Sequence, residues 1–336
     1  MKLLVLSAPD VHELLGYGQC ADAMRAALAA LASGRAGQPL RTIVRFAAAP
    51  GLMGLMPAYL PAEQPADQSE ARAAYGLKAI CITPANPAAG LDTHQGIVLL
   101  SDGQTGEPLA VLNASAITEV RTAAVSVVAT DLLARPGAAD LAVIGTGVQA
   151  RAHVLALSQT RPLRRVRVAG RTPDRAAAFA AALQPEVTAQ IVACPSAQDA
   201  LSGADIIVTA TSSAQPVLRR DWIAGGAHIN AVGACLPAAR ELDSATVADA
   251  VLFADSRESL LAESGDYLLA AADGQAGPGS IRAELGEVLT GAAPGRAGDD
   301  EITVFESLGL AVEDLAAAMT VYQAAAGRDA GQWVEF

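Results

Sequence analysis

The chain has 336 residues, enough for two domains at roughly 100–200 residues each. Apolar residues make up 52 % of it and charged residues 17 %, so it can bury a large aliphatic core and is not a disordered chain. Its 23 Lys and Arg against 35 Asp and Glu leave a net charge of −12 with no basic cluster, which argues against nucleic acid or an anionic membrane as partner.

The N-terminal run Leu3–Leu6 is too short for the apolar segment of a signal peptide, and Asp10, His12 and Glu13 follow at once. No apolar stretch reaches the ~18 residues needed to span a bilayer, so a cytoplasmic protein is expected. Cys20, Cys81, Cys194 and Cys235 lie far apart without a CxxC or Cys/His spacing, and point to neither a disulfide framework nor a metal site. An alanine-rich helix is predicted over 19–33, stopped at Gly34. Four β-rich runs follow, at 41–46, 75–82, 96–102 and 108–113, with turn residues between them. They read as an antiparallel or mixed sheet. A helix over 116–134 ends at Arg135-Pro136-Gly137.

Beyond it the pattern changes. Strands at 139–147, 164–171 and 190–194 alternate with helices at 148–159, 173–183 and 196–203, and further strands follow at 204–211, 226–233 and 250–255. Nearly all-apolar strands alternating with helices indicate a parallel sheet covered on both faces. The fold class is therefore α/β, a doubly wound Rossmann-like domain preceded by a mixed α and β region. Residues 257–300 read as helix and Gly/Pro-rich loop, and 308–327 as an amphipathic helix.

Gly145-Thr146-Gly147-Val148-Gln149-Ala150 matches the G-x-G-x-x-G/A fingerprint, with a strand before it and a helix after. Gly145 permits the tight turn, and Gly147 lets a pyrophosphate approach the backbone. Ala150 lets the helix pack on the strand, while the helix N-terminus stabilises negative charge. The second strand ends Ala169-Gly170-Arg171-Thr172, without the acid that accepts hydrogen bonds from the ribose of NAD. Arg171 suits a 2′-phosphate and Thr172 can donate to one, so NADP(H) is expected, with NAD(H) as the lesser possibility.

Three cations stand in apolar surroundings: Arg45 in a predicted strand, Lys78 in another, and Arg121 in the helix leading to the Rossmann unit. Such cations are costly to bury unless paired. One alone would be an exposed edge position, but three with so little acid around them suggest a pocket for a carboxylate. His12, His153 and His228 show no partner in sequence and read as structural.

Six segments, GLKAICITPANPAAGLDTHQGIVLLSD, GEPLAVLNASAITEVRTAAVSVVA, VIGTGVQARAH, GRT, INAVGACLPAARELD and VFESLGLAVEDLAAA, occur in order along nearly the whole chain. In these it resembles the ornithine cyclodeaminase/mu-crystallin family. The resemblance implies a homodimer in which 1–120 together with 305–336 form a substrate-binding and dimerisation domain completed by the C-terminal helix. Residues 121–304 would then be the Rossmann NADP(H)-binding domain. It implies that Arg45, Lys78 and Arg121 hold the carboxylate of an amino or imino acid in an interdomain cleft. Thr93 and His94 would lie near cofactor or substrate, and Thr122 near the phosphates. Thr209, Ala210 and Thr211 would pass over the cofactor, and Ser307 would approach the nicotinamide.

One departure is informative. Cyclodeaminases of that family carry an acid in a VG-x-D-x-P turn, where this chain reads Val232-Gly233-Ala234-Cys235-Leu236-Pro237. A neutral thiol is no carboxylate base. Mu-crystallin-like members, which reduce cyclic ketimines, also lack the acid. Cys235 itself reads as a small packing residue rather than a nucleophile. The expected activity is NADPH-dependent reduction of a cyclic ketimine carboxylate, 1-pyrroline-2-carboxylate or 1-piperideine-2-carboxylate, to L-proline or L-pipecolate. Solvent or Lys78 would protonate the imine, although a cationic pocket disfavours an iminium. The alternatives are an ornithine cyclodeaminase, an alanine-dehydrogenase-type oxidoreductase, and a non-catalytic NADP-dependent protein that binds small carboxylates.

Overall fold

The computed structural model describes residues 2–62, 72–328 and 330–336. Two compact units divide it, Met1–Arg121 with Leu310–Phe336 and Thr122–Gly309.

The first unit holds β1 (Lys2–Leu6), β2 (Thr42–Val44), β3 (Leu52–Leu60), β4 (Ala74–Ile82), β5 (His94–Asp102) and β6 (Pro108–Asn113). The predicted helix at 19–33 is Tyr17–Ala32. The sheet is mixed, because β1 runs parallel to β6 while β2 to β6 pair antiparallel. Three elements here carry no clear sequence signal: β1, the short helix Ala8–Leu14, and β3. Gly54 and Pro57 disguise β3, but its burial alternates as a half-buried strand should. The backbone N–H of Tyr59 points out of the β3 edge to Gly37 O, so the nitrogen of Pro57, two residues earlier, points out of the same edge. Pairing to β2 has already ended at Leu55, and the missing N–H costs no ladder bond.

In the second unit every strand pair is parallel: β7 (Asp140–Ile144), β8 (Arg165–Ala169), β9 (Gln190–Ala193), β10 (Ile206–Thr209), β11 (His228–Ala231), β12 (Val251–Ala254), β13 (Ile281–Glu284) and β14 (Thr303–Glu306). The spatial order is β13-β12-β14-β11-β10-β7-β8-β9. The chain winds from β7 out to β9, then returns to β10 on the other side of β7, which is the reversal point of a doubly wound sheet. β13 and β14 fall where helix and loop, or no element, were expected. Both are four-residue strands ending in glutamate, too short for an alternation to register.

The chain then re-enters the first unit as the helix Ala311–Arg328 and β15 (Gln332–Glu335), which pairs antiparallel with β1. That helix packs against β3, β4 and β5 and covers one face of the sheet. Among the described residues no helix is long and apolar enough to cross a membrane.

Candidate functional site

The glycine turn has the local geometry its sequence demands. Gly145 sits at φ +133°, and a Cβ there would lie 2.4 Å from the Ala210 carbonyl oxygen. Only glycine fits. Gly147 caps the helix Val148–Thr160 without a side-chain hydrogen bond, leaving the first-turn N–H groups of an unblocked N-terminus. Ala150 is fully buried, Val148 is exposed, and the Gln149 carbonyl contacts the His153 ring. Across the sheet, the Ala210 N–H donates to Ile144 O at 2.9 Å, tying the 209–211 loop to this turn. Ser307, after β14, is buried and its Oγ has no hydrogen-bond partner among the described residues. A cradle closed to side chains and an orphaned buried hydroxyl on the same strand-end edge fit a dinucleotide.

At the end of β8, Arg171 is exposed and makes no ion pair among the described residues. The Thr172 oxygen caps the helix Pro173–Leu183 by accepting the Arg175 N–H at 3.4 Å, which leaves its own proton free to donate. Arg175, exposed in that first turn, adds a cation that the sequence reading passed over. Thr209 is buried at the end of β10, while Thr211 is held by Glu241, another residue passed over. Cys235 is half-buried against the core of this unit, as a packing residue would be.

The cation cluster differs from the sequence expectation. Lys78, in the middle of β4, points to the helix-covered face and is 3 % exposed; Arg121 is 5 % exposed. They are not short of acid. Lys78 Nζ donates to Asp314 Oδ1 at 2.9 Å, and Arg121 Nε donates to the same oxygen at 3.0 Å. Arg121 Nη1 reaches Glu313 Oε2 at 2.9 Å. Both acids lie in the first turn of Ala311–Arg328, nearly two hundred residues from Arg121 in sequence, so composition near the cations gave no hint of them. Burial, with help from Arg121 and Arg41, brings the Lys78 pKa down to about 8 against the opposing pull of Asp314. Burial pushes Asp314 up, but Lys78 and Arg121 outweigh it and hold the carboxyl below its usual value.

Arg45 lies one residue past β2, exposed, rather than within a strand, and makes no ion pair among the described residues. Thr93 O accepts from Thr83 N at 3.0 Å, and the Ser115 hydroxyl donates to His94 O. The His94 imidazolium is disfavoured by partial loss of hydration and by the fields of Lys78 and Arg121. Thr122 is buried at the start of the second unit. The three other histidines have partners that sequence did not reveal: His12 with Glu119, His153 with Ser126 and Gln149 O, and His228 with Thr303. Burial takes the pKa of His153 down to about 4 and that of His228 to about 3, so both are neutral structural groups.

Comparison with known proteins agrees with these features. A model of the ornithine cyclodeaminase/mu-crystallin family matches residues 1–329. The ketimine reductase mu-crystallin of Mus musculus is 42 % identical over 321 residues, covering 94 % of this chain and 96 % of that protein. The Thermococcus litoralis delta(1)-pyrroline-2-carboxylate reductase, solved with NADH and L-proline, superposes with a TM-score of 0.90 at 35 % identity, covering 98 % and 99 % of the two chains. An archaeal alanine dehydrogenase dimer with bound NAD gives a TM-score of 0.91 at 31 % identity and covers both chains fully (100 % each).

Proposed function

This chain belongs to the ornithine cyclodeaminase/mu-crystallin family, and from that premise we propose that it reduces a cyclic ketimine carboxylate, 1-pyrroline-2-carboxylate or 1-piperideine-2-carboxylate, to L-proline or L-pipecolate with NADPH. The observation that carries the reading is the buried cluster of Lys78, Arg121, Glu313 and Asp314.

When bound, the dinucleotide supplies a hydride to the imine carbon. The chain must then fix the substrate carboxylate and deliver a proton to nitrogen. Arg45 and Arg121 are assigned to the carboxylate; Arg45 brings the cation that no acid neutralises among the described residues. Lys78 is assigned the proton. One of its three N–H bonds goes to Asp314, which leaves two for substrate. With a pKa of about 8 it is mostly protonated at neutral pH yet close enough to release. After transfer the neutral amine regains a proton from solvent. Glu313 and Asp314 offset the charges of Arg121 and Lys78, which removes the objection that an iminium would face an uncompensated positive pocket.

The thiol of Cys235 supports reduction over cyclodeamination, since it offers no carboxylate base. Arg171 at the end of β8 supports NADPH over NADH. A homodimer is supported by the face of the first unit's sheet opposite the helix Ala311–Arg328. There the register aligns Pro57, Leu77, Leu99, Val111 and Val5 in one apolar row across five strands, with Tyr75 and Ile97 exposed on the same side. A second copy would cover it.

The test is NADPH oxidation followed by absorbance with each cyclic imine, NADH in parallel, and pyruvate with ammonia as a separate arm. Rapid oxidation with an imine is expected. Oxidation only with pyruvate and ammonia would replace this reading by an alanine-dehydrogenase type. No oxidation in any arm by protein that binds NADPH would leave a binding role.

A further inference from the structure

Two loops leave the sheet side by side, one after β10 and one after β11. The strands are paired in register up to Thr209 and Ala231, and the last ladder bond runs from Val232 N to Thr209 O at 2.9 Å. In a continuing parallel ladder the Thr211 N–H would be the next donor to β11. It turns instead to a side chain. Glu241 Oε1 accepts the Thr211 N–H at 2.6 Å and the Thr211 hydroxyl at 2.7 Å, and Glu241 Oε2 accepts the Gly233 N–H at 2.7 Å. One carboxylate thus bridges both loops where the backbone ladder has stopped.

The bridge is rigid and dry. Glu241 is 0 % exposed. Its own N–H, with that of Leu242, donates to Asp266 Oδ1 at 2.8 Å, and its carbonyl accepts from Val217 and Leu218. A Cβ at position 233 would lie 2.2 Å from Thr211 O and 2.7 Å from Glu241 Oε1, so the loops meet with no room to spare. Among the described residues no group of three or more His, Cys, Asp or Glu side chains is arranged to hold a metal ion. Its location assigns a purpose. The β8 end, with Arg171, lies on one side of β7, and β10 and β11 lie on the other. A dinucleotide lying across the reversal point with its 2′-phosphate at Arg171 places its nicotinamide half over β10 and β11.

We propose that Glu241 is a positioning residue that fixes the two loops bracketing the nicotinamide half of the dinucleotide. This rests on the reading of the chain as an NADP(H) enzyme. Glutamine in its place matches the length but turns an N–H₂ donor toward one of the N–H groups that the carboxylate accepts, so one loop is released.

The test compares wild type, E241Q and E241D by fluorescence titration with NADPH and by competition with 2′-phospho-ADP-ribose, which lacks nicotinamide. For E241Q the NADPH dissociation constant is expected to rise about tenfold or more, the loss expected for a charge-assisted hydrogen bond. Binding of 2′-phospho-ADP-ribose should stay within about twofold of wild type, and E241D, which keeps the charge on a shorter arm, should recover part of the NADPH affinity. Equal weakening of both ligands by E241Q would reduce Glu241 to a general structural role and overturn the proposal, as would unchanged NADPH binding. Wild type that fails to bind NADPH would instead remove the underlying cofactor reading, an outcome visible before any variant is made.

Discussion

Lys78 Nζ and Asp314 Oδ1 are 2.9 Å apart in a site from which both side chains are almost wholly withdrawn from water. The pairing makes the lysine usable as an acid. Burial and the field of Arg121 both favour loss of its proton; Asp314 pulls the other way and leaves the pKa at about 8. Reduction therefore needs the protonated form and should lose rate on an alkaline limb near pH 8. In Asp314→Asn the opposing charge is gone, the Lys78 pKa falls further, and the limb moves to lower pH. A pH profile of kcat/KM for the two proteins checks this. A limb unmoved in the variant would remove Lys78 as the titrating acid.

Arg45 is exposed and Arg121 is already committed to two acids, so the variant that isolates carboxylate binding is Arg45→Met. Loss of one charge-assisted contact to substrate is expected to raise KM for the imine by roughly 10–100-fold, with kcat changed far less. Steady-state kinetics with saturating NADPH give both numbers. An unchanged KM takes Arg45 out of the carboxylate site.

Much of this was open to reading in the sequence, for physical reasons that also explain the gaps. The glycine turn and the apolar strands β7 to β12 announce themselves because each signal lies within about ten residues. β3 was hidden by Pro57, which sits harmlessly only because the neighbouring strand β2 is short, a tertiary fact. The cations are visible in the sequence but look poor in acid there, since Glu313 and Asp314 come from a helix that returns at the far end of the chain. The role of Glu241 is hidden for the same reason at shorter range: it lies 30 residues from Thr211 and eight from Gly233, and nothing local marks a side chain that replaces a ladder.

The cofactor preference turns on one side chain. Arg171 stands at the end of β8 where an acid would serve the ribose of NAD, and it has no protein partner among the described residues. Arg171→Ala is expected to raise the NADPH dissociation constant by roughly tenfold or more and to leave that of NADH within about twofold. Fluorescence titration with both dinucleotides decides it. Equal loss for both would sink the assignment to a 2′-phosphate and pass that role to Arg175 or to neither.

The apolar sheet face opposite the helix Ala311–Arg328 offers a prediction about assembly. Ile97 is 45 % exposed on that face, opposite Ala79 and Asn113, so a charge there leaves the folded chain little disturbed. In a dimer the same charge would be buried unpaired. Ile97→Asp is expected to sediment as a monomer with a near-wild-type circular dichroism spectrum, whereas wild type sediments as a dimer. A dimeric variant would place the interface elsewhere.

Asp266 provides a test of the buried acids in the second unit through stability. Its Oδ1 accepts the N–H groups of Glu241 and Leu242, while burial and the nearby Glu241 charge raise its pKa from 3.8 to about 7. Between those two values the folded chain holds a proton that the unfolded chain has released, so stability falls as pH rises through the window. Below it the group is neutral in both states; above it the folded protein carries a buried charge beside Glu241 and Glu306. Asp266→Asn keeps the oxygen that accepts both N–H groups and removes the charge. The buried histidines are common to both proteins and cancel in the comparison. The variant should melt within about two degrees of wild type at pH 4, near the foot of the window, and several degrees higher at pH 8, at about 2–4 °C per kcal/mol for a domain of this size. A variant that melts lower at both values would show that the second oxygen makes a contact worth more than the charge costs.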